Sequence, residues 1–509
     1  MKTSKIWTII SIIILSLQVV AEGFLTFVLL RLNMLPNKYL IAALAVLLLF
    51  AALTAGLLFL RGKNPVSVAR RIVGWVVAVL AIVGCVLGAL AVMRAYKALH
   101  TVTTVDPETD ENSLYVFVRM DDPAQNLVDT KGYSYGVIAD FDVEVTEQAI
   151  AVICEVIGQQ MVPASYPGIT ELADALLSKN ADAILINGGI IDLLSEEEEY
   201  EDIFEKIRIL HGFPLSDLEV TEPTTEPPTE PSTEPPRGIT NTPFTVYLSG
   251  SDTRSKKLNK KGRNDVNIIA VVNPTTKQIL LINTPRDYYV ANIAGGNKKD
   301  KLTNCSIYGL DNSMKILGKL YGVKIDYYAR VNFTGFETLV DAIGGITVTS
   351  SYEFRTRAGY KIHKGENELN GENALGFARE RYTVKGGDNG RGKNQMKVIT
   401  AIVKKMTSGT TIITNYAEIL TSMEGMFKTD VPMEDISALV KMQLDDMATW
   451  NILSFAATGT GGSARTYSSP GKNAYVMYPN KKSVNHAKKL IDRVMAGEIL
   501  TSADMKVPK

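Results

Sequence analysis

The sequence predicts a membrane-anchored α/β protein with three N-terminal transmembrane helices, a small α/β domain and a larger α/β domain. Three observations support this prediction. Long apolar runs open the chain, strand-like and helix-like segments alternate through the remainder, and a proline-rich segment divides that remainder in two. A chain of 509 residues has room for two or three such units.

The apolar runs are long enough to cross a lipid bilayer. They cover residues 6–30, 39–60 and 72–93, and about 20 apolar residues span a hydrocarbon core of roughly 30 Å as an α-helix. A cleavable signal peptide would instead be a single shorter apolar region followed by small residues. We therefore predict a three-helix transmembrane anchor over residues 1–97.

The distribution of basic residues predicts the orientation of this anchor. Basic residues at the N-terminus and between the second and third runs are Lys2, Lys5, Arg61, Lys63, Arg70 and Arg71. Those at the opposite ends of the runs are Arg31, Lys38, Arg94 and Lys97. Because cytoplasmic loops carry the excess of Lys and Arg, we predict a multi-pass protein of a bacterial cell membrane with a cytoplasmic N-terminus and extracellular soluble domains.

Composition argues against several classes of protein. The 54 basic residues balance the 54 acidic ones, whereas a general nucleic-acid binder carries a basic excess. The three cysteines are dispersed and suggest neither a disulfide framework nor a metal-binding pair. The sequence has no G-x-S-x-G, H-E-x-x-H or Walker A segment, and none of its four histidines lies in the polar clusters described below. We therefore expect no nucleic-acid partner and no histidine base.

A low-complexity segment separates the two soluble domains. The sequence TEPTTEPPTEPSTEPPRG holds few apolar residues and many prolines, so residues 219–240 are predicted to form an extended linker. A small accessory domain is predicted before it at residues 110–215 and a larger domain after it at residues 241–480. A C-terminal helix and tail are predicted for residues 481–509.

The accessory domain is predicted to be a small α/β unit with a partly parallel sheet. Strands are predicted at LYVFVRM, YGVIADF and AILING, and helices at TEQAIAVICEVIG and ITELADALLSKN. The acidic segment LLSEEEEYEDIFEKIRIL is predicted to be one further helix with a solvated acidic face. No constellation of catalytic residues is recognisable in this domain.

The larger domain is predicted to hold a central mixed sheet flanked by helices. Strands are predicted at FTVYLSG, YYARVNF, GITVTSS and NILSFAAT, and two more strands meet in a hairpin turn at residues 273–277. Helices are predicted at residues 305–321, 334–342, 371–378 and 391–406, with two more before Trp450. The segment GTGGS at residues 459–463 lacks the Lys-Ser/Thr of a phosphate loop and is interpreted as a flexible turn.

Polar clusters lie at the ends of these elements, where binding residues tend to gather. They are GSDTR, GRND, PRD, and the pair RER and GGDNGRGKNQ. Each alone is compatible with a turn or a helix cap. Together they suit a polyphosphate ester, because guanidinium groups bind phosphate oxygens in a bidentate way at any pH. The neighbouring carboxylates fit such a site if some of them hold a divalent cation that bridges the same phosphates.

The last cluster has the geometry of a helix start. Arg391 and Gln395 are four residues apart, so they share one face of the predicted helix. The helix N-terminus behind Gly390 adds backbone N–H donors directed toward an anion.

The order of these motifs resembles the LytR–CpsA–Psr family. It runs GSDTR, RND, NPTTKQILLINTPRDYYV, KLTN, LVDAIGGITV and LNGENALGFARERY followed by GGDNGRGKNQ, and covers about residues 245–406. Three membrane helices and an accessory domain resemble the capsule-associated branch of that family. The chain departs from the usual family pattern at Asn264 and Val266, which flank Asp265, and at Asn394.

The resemblance implies a membrane-anchored, Mg²⁺-dependent (or Mn²⁺-dependent) phosphotransferase. Such an enzyme moves a glycopolymer from an undecaprenyl-pyrophosphate carrier to peptidoglycan and forms a phosphodiester bond. Its implied partners are the lipid-linked glycopolymer, the peptidoglycan acceptor, the membrane and capsule-assembly membrane proteins. The polyprenyl tail would need an apolar tunnel, which the helices predicted at residues 305–321 and 334–342 would line.

The resemblance also implies roles for individual residues. Metal ligands would be Asp252 and Asp265, and Asp252 is the candidate to accept the proton of the acceptor hydroxyl. The residues implied as catalytic are Asp252, Arg286 and Arg391. Those implied to bind substrate are Arg263, Lys301, Arg379, Arg381, Asp388 and Gln395.

Two other functions use the same residues. A non-catalytic polyprenyl-pyrophosphate-binding regulator of polymer export would need the arginines but neither metal nor acceptor. A pyrophosphate hydrolase would be a version of the same site that accepts water. A DNA-binding function is opposed by the membrane topology, the balanced charge and the lack of a helix-turn-helix pattern.

Overall fold

The computed structural model describes most of the chain. The residues described are 2–32, 36–60, 67–103, 113–139, 141–194, 198–200, 202–214, 238–251, 258, 263–408, 419 and 425–508. Most of the predicted linker at residues 219–240 therefore lies outside the described residues, as does Asp252.

Three long apolar helices form the N-terminal part of the protein. They are α1 (Lys2–Leu32), α2 (Asn37–Phe59) and α3 (Val68–Thr103). All three are long and apolar enough to span a membrane, which confirms the predicted anchor.

Helix α3 extends beyond the predicted membrane span and enters the soluble part of the protein. Ala98 and Leu99 are buried against Met433 and Ile436, and Val102 is buried in an apolar cluster of the larger domain. The anchor and the larger domain are therefore in direct contact.

The small domain is built on a five-stranded sheet. Its strands are β1 (Ser113–Arg119), β2 (Tyr135–Ile138), β3 (Ala164–Tyr166), β4 (Ala183–Asn187) and β5 (Ile207–Pro214). Its helices are α4 (Val143–Ile157), α5 (Ile169–Leu177), α6 (Gly188–Leu194) and α7 (Ile203–Lys206). The strand order is β3-β2-β4-β1-β5, with β2 parallel to both neighbours and β1 antiparallel to both of its own. The partly parallel sheet was correctly predicted.

The prediction that the acidic segment of this domain forms a single helix is wrong. The segment divides into α6, a short 3-10 turn (Glu198–Tyr200), α7 and strand β5. The physical reason is long-range: the residues from Ile207 onward pair antiparallel with β1, from Arg119↔Ile207 to Ser113↔Pro214. Pairing with an existing sheet edge satisfies the backbone groups there and outweighs local helix propensity.

The larger domain is built on a six-stranded mixed sheet of order β16-β11-β6-β7-β8-β17. These strands are β6 (Phe244–Ser251), β7 (Asn264–Asn273), β8 (Gln278–Asn283), β11 (Tyr327–Asn332), β16 (Phe427–Thr429) and β17 (Asn451–Ala456). Strand β11 is parallel to β6 and β17 is parallel to β8, while the other pairs are antiparallel. The predicted mixed sheet and the predicted hairpin β7–β8 are therefore confirmed.

Shorter sheets and the helices surround this central sheet. The remaining strands are β9 (Tyr289–Asn292), β10 (Lys298–Lys301), β12 (Ile346–Ser350), β13 (Phe354–Arg355), β14 (Lys361–Ile362), β15 (Gly365–Leu369), β18 (Gly459–Thr466) and β19 (Ser469–Pro479). The helices are α8 (Leu302–Cys305), α9 (Leu310–Tyr321), α10 (Phe333–Ala342), α11 (Gly371–Arg379), α12 (Gly387–Thr407), α13 (Met433–Asp446) and α14 (Lys481–Met495).

The alternation of apolar residues in β7 explains why helices cover both faces of the sheet. Ile269 lies in a core cluster with Leu317 of α9 and Leu490 of α14. Its neighbour Ile268 lies in a second cluster with Met396 of α12. Successive side chains of a strand point to opposite faces, so this single strand anchors both helical layers.

Three sequence predictions for this domain need correction. The segment at residues 459–463 is not a flexible turn but the start of β18, which pairs antiparallel with β19. The helix predicted at residues 305–321 is divided into α8, a 3-10 turn (Ser306–Tyr308) and α9, because Gly309 adopts a φ of 103° between the turn and α9. Helix α12 begins at Gly387, earlier than the predicted start at residue 391.

The two soluble domains meet at Asp142, which precedes α4. Its Oδ1 accepts hydrogen bonds from the hydroxyls of Tyr308 (3.0 Å) and Tyr467 (3.3 Å). The rings of Phe141 and Tyr467 lie 4.9 Å apart, and Ile307 is buried in an apolar cluster of the small domain. The small domain is therefore packed against the larger one through both polar and apolar contacts.

Candidate functional site

The hairpin β7–β8 brings the first pair of predicted site residues together. Arg286 follows β8, and its Nη1 donates a hydrogen bond of 2.7 Å to Oδ1 of Asp265, at the start of β7. The hairpin register pairs Ile268 with Asn283, so the residues just beyond that pair are close in space. The two side chains are 18% and 19% exposed, so the ion pair lies at the protein surface without being fully hydrated.

Asp287 forms further ion pairs beside the first one. Asp287 is buried, and its Oδ1 lies 3.5 Å from Nζ of Lys301, while its Oδ2 lies 3.9 Å from Nε of Arg286. The hairpin β9–β10 places Lys301 here, because it pairs Lys301 with Tyr289, close in sequence to Asp287. Asp287 therefore holds two cations beside one another.

These residues line a pocket with a volume of about 440 Å³. Its lining residues are Arg286, Asp287, Lys301, Arg381, Tyr382, Gly387 and Tyr475. Three cations and one carboxylate thus face the same space, from elements that are distant in sequence. Such a pocket is suited to a ligand that carries more than one negative charge.

The start of α12 contributes a further cation. Arg391 is only 7% exposed, and Gln395 is buried one turn later on the same helix. The helix lies so close to the end of β8 that a Cβ atom at position 392 would clash with Nδ2 of Asn283. Glycine at position 392 therefore permits the close approach that brings Arg391 to the site.

The electrostatic environment keeps Asp265 ionised. Burial alone would raise the pKa of its carboxyl group. The guanidinium groups of Arg286, Arg391 and Arg263 outweigh that effect and lower the pKa below its ordinary value. A carboxylate surrounded by cations remains available as an oxygen ligand or as an anchor for the arginines.

Glu380 orders the segment that carries Arg381. Its Oε1 accepts hydrogen bonds from the backbone N–H groups of Tyr382 (2.8 Å) and Thr383 (3.1 Å). Burial acts to raise the pKa of Glu380, but backbone hydrogen bonds to its carboxylate outweigh this and lower it. The acidic residue of the RER motif is therefore a structural part of the site, which sequence reasoning missed.

Arg379, Asp252 and Asp388 were also predicted to belong to the site. The guanidinium of Arg379 lies over the ring of Phe333, 4.1 Å from its centroid. Asp252 and the side chain of Asp388 lie outside the part of the chain that the structure describes. Sequence reasoning also missed the two tyrosines of the pocket. Tyr382 ends the motif LNGENALGFARERY but was not assigned a role, and no motif pointed to Tyr475.

The carboxylates at the pocket are potential ligands of a divalent cation. Among the described residues, no group of three or more His, Cys, Asp or Glu side chains is placed to hold a metal ion. Asp287 nevertheless lines the pocket, and Asp265 is ion-paired with the pocket residue Arg286, so both supply hard carboxylate oxygens beside it. Mg²⁺ is commonly held by one or two carboxylates together with substrate phosphates and water, so these residues fit a cation that binds with its substrate.

An α/β fold with three helices apolar enough to span a membrane, and a pocket lined by Arg, Lys and Asp side chains, are typical of a membrane-anchored protein that binds an anionic ligand. The chain matches the model of the LytR_cpsA_psr family over residues 219–491, more than half of its 509 residues. The protein belongs to that family.

Two proteins with related sequences have the same name. A polyisoprenyl-teichoic acid–peptidoglycan teichoic acid transferase TagU of Enterococcus faecalis is 38% identical over 198 residues, which are 39% of this chain and 64% of that protein. A protein of the same name from Bacillus cereus is 34% identical over 200 residues, again 39% and 64% of the two chains. The match thus spans slightly less than two thirds of these relatives.

A solved structure is also similar. The crystal structure of B. subtilis TagV aligns with a TM-score of 0.42 and 24% sequence identity, and the alignment covers 51% of this chain and 99% of that one.

Proposed function

We propose that this protein transfers a cell-wall or capsular glycopolymer from an undecaprenyl-pyrophosphate carrier to peptidoglycan, with formation of a phosphodiester bond. The observation that carries the proposal is the pocket in which Arg286, Lys301 and Arg381 face one space. A pyrophosphate joined to a sugar and a lipid is the kind of anion that such a pocket accommodates. The names of the related TagU proteins, which describe polymer transfer from a polyisoprenyl carrier to peptidoglycan, support the same reaction.

In this proposal the cations of the pocket stabilise the negative charge that develops during the reaction. Attack of a peptidoglycan hydroxyl on the sugar-linked phosphorus breaks the bond to the bridging oxygen, and polyprenyl phosphate leaves. Negative charge develops on the bridging oxygen and on the oxygens of the phosphorus under attack. Arg286, Arg381 and Lys301 would neutralise that charge from fixed positions, because Asp265 and Asp287 already hold two of them in place.

Carboxylates would complete the site. Asp265, together with Asp252, would hold Mg²⁺ or Mn²⁺, which would supply further positive charge at the pyrophosphate. Asp265 keeps its charge at neutral pH because its pKa is lowered by the surrounding arginines. Asp252 remains the candidate to accept the proton of the attacking hydroxyl.

The polyprenyl tail would lie on the side of the protein that faces the anchor. Of the two helices predicted to line a tunnel, α9 packs into the cluster of Leu317 and α10 into a different cluster around Val340. The second cluster includes Phe377 of α11, Val398 of α12 and Val102 of α3. We propose that the tail approaches the site along the outside of this second cluster, which contacts α3 of the anchor through Val102.

The orientation of the protein is part of the proposal. Basic residues in the segment between α2 and α3 favour a cytoplasmic location for that segment. The soluble domains would then lie outside the cell, where peptidoglycan is assembled. Capsule-assembly membrane proteins are the proposed protein partners of the anchor.

The test is polymer attachment in cells that depend on this protein alone. We expect Arg286→Ala to abolish attachment of the glycopolymer to the wall while the protein remains folded and in the membrane. Lys489→Ala removes an exposed cation of α14 and is the matched control, which should support normal attachment. Normal attachment with Arg286→Ala would contradict the proposed function.

A further inference from the structure

Two exposed tyrosine rings lie on the walls of the cationic pocket. Tyr475 of β19 is 52% exposed and Tyr382 is 70% exposed, and both line the pocket together with Arg286 and Lys301. Large aromatic side chains at the surface expose apolar area to water, and such surface at a pocket is a common mark of a ligand contact.

The ring of Tyr475 is held against the backbone of the neighbouring strand. A Cβ atom at Gly461 of β18 would lie 2.9 Å from the Tyr475 hydroxyl oxygen and 3.0 Å from its Cε2. Only a residue without a side chain leaves room for the ring in this position. The glycine-containing strand therefore fixes one side of the ring, and the exposed remainder is directed to solvent and to the pocket.

The ring of Tyr382 is held by the pocket's own arginine. The Arg381 guanidinium carbon lies 4.7 Å from the ring centroid, and Arg381 Nη2 donates a hydrogen bond of 2.5 Å to the Tyr382 hydroxyl. The ring is thus positioned beside a cation that we assign to the pyrophosphate. The Tyr475 ring is held in place before a ligand binds, which limits the conformational entropy that its contact costs.

The chemistry of these rings identifies the part of the ligand that would contact them. A pyranose ring has C–H groups on its faces, which pack on aromatic faces, and hydroxyl groups at its edge, which a tyrosine hydroxyl can bind. In a lipid-linked glycopolymer the first sugar is bonded directly to the phosphate. A sugar in that position is next to the cations that hold the pyrophosphate, and therefore next to the two tyrosines.

We propose that Tyr475 and Tyr382 form a subsite for the first pyranose of the donor, the sugar attached to the pyrophosphate. This inference rests on the proposed function and specifies which part of the substrate the pocket recognises besides its charge. The pyrophosphate supplies affinity through the arginines and Lys301, and the tyrosines distinguish a sugar-bearing donor from a bare lipid pyrophosphate.

The experiment compares two probes on the full chain in detergent. One probe is geranyl pyrophosphate, and the other is the same pyrophosphate bonded to N-acetylglucosamine. We expect Tyr475→Ala to weaken binding of the sugar-bearing probe about five- to tenfold, the size of one aromatic contact, and to leave binding of the bare probe unchanged. Tyr475→Phe keeps the ring and should retain most of the preference, whereas Arg286→Ala should weaken both probes.

The matched control is Tyr478→Ala. Tyr478 is 43% exposed on the same strand, but it stands three residues from Tyr475 and its ring packs edge-on against Tyr289. We expect this variant to bind both probes as the wild type does. Equal weakening of both probes by Tyr475→Ala, or no effect on either, would overturn the sugar subsite.

The proposed function is tested separately by the same samples. A wild-type protein that binds neither probe would overturn both the function and the subsite. A wild-type protein that shows the expected preference but transfers no glycopolymer to peptidoglycan would support the subsite and contradict the transfer reaction.

Discussion

The contact between the two soluble domains should weaken as the pH rises from about 4 to about 6. Asp142 is partly buried where it accepts hydrogen bonds from Tyr308 and Tyr467. Burial raises its pKa from 3.8 to about 6, although both hydrogen bonds act in the opposite direction. Asp142→Asn removes the charge and keeps a carbonyl oxygen that accepts the same two hydrogen bonds.

The sign and size of the effect follow from proton linkage. Between pH 4 and pH 6 the folded protein keeps the Asp142 proton, whereas the unfolded chain has lost it. The stabilisation is therefore complete below pH about 4 and is lost as the pH rises through about 6. A rise from 3.8 to about 6 corresponds to about 3 kcal/mol, an upper bound because the side chain is not fully buried.

The assay is unfolding of the detergent-solubilised full chain by urea, at pH values from 4 to 7.5. We expect Asp142→Asn to match the wild type at pH 4 and to be up to about 3 kcal/mol more stable at pH 7. Asparagine also tolerates the left-handed backbone of this position, where φ is 45°. Hydrogen exchange at residues 303–308 and 464–469 reports whether the difference arises at the domain contact.

Two comparisons make the test specific. Burial also raises the pKa of Asp300 to about 6, but Asp300 is present in both proteins and cancels in their difference. Asp142→Ala removes the oxygen that accepts both hydrogen bonds, so it should be less stable than Asp142→Asn at every pH. A difference between wild type and Asp142→Asn that is the same at pH 4 and pH 7 would refute the reasoning.

Three further predictions concern the pocket. Asp265→Asn should reduce transfer about 100-fold. Binding of pyrophosphate without Mg²⁺ should be unchanged or tighter, because the substitution removes a negative charge beside Arg286. Calorimetry with and without Mg²⁺ measures this binding, and loss of metal-free binding would contradict the prediction. Glu380→Ala should raise KM for the donor about tenfold, because the segment that carries Arg381 loses two hydrogen bonds. Glu380→Gln keeps the acceptor oxygen, so its KM in the same donor titration should be close to that of the wild type. Gly392→Ala should lower the free energy of unfolding by up to about 2 kcal/mol, because the clash of the new Cβ with the side chain of Asn283 outweighs the gain in helix propensity. An unchanged or raised thermal midpoint would contradict this.

Much of the larger domain could be predicted because its signals are local. The hairpin β7–β8 follows from two apolar runs on either side of a turn, and Arg286 lies at the end of the second run. Helices α10 and α11 begin after Asn332 and Asn370, whose side chains accept hydrogen bonds from backbone N–H groups in the first turn. Such caps and periodicities depend on residues close together in the sequence.

The failed predictions depend on residues that are far apart in the sequence. The first four residues of strand β5 were predicted as helix because the partner strand β1 lies at the other end of the small domain. Strand β18 was interpreted as a turn because glycine has a low intrinsic preference for strands, but the rings of Tyr475 and Tyr478 pack over Gly461 and Gly462. Packing across strands, which the local sequence does not encode, stabilises that hairpin.

The residues of the pocket likewise divide into those that local sequence predicts and those that depend on distant parts of the chain. The arginines were found because their motifs are dense and lie at the ends of predicted elements. The ion pair between Asp287 and Lys301 was not found, because it depends on the β9–β10 hairpin. Tyr475 enters the pocket from β19, far along the chain from the other lining residues, so no spacing rule connects it to them.

The most direct test of the proposed transferase is turnover by the purified full chain. The reaction contains an undecaprenyl-pyrophosphate-linked glycopolymer, peptidoglycan and Mg²⁺, and mass spectrometry follows the lipid product and the polymer. We predict that undecaprenyl phosphate is released in an amount equal to the polymer that becomes linked to peptidoglycan through a phosphodiester bond. Donor that stays bound without turnover, or polymer phosphate released into water with no attachment to peptidoglycan, would contradict the transferase.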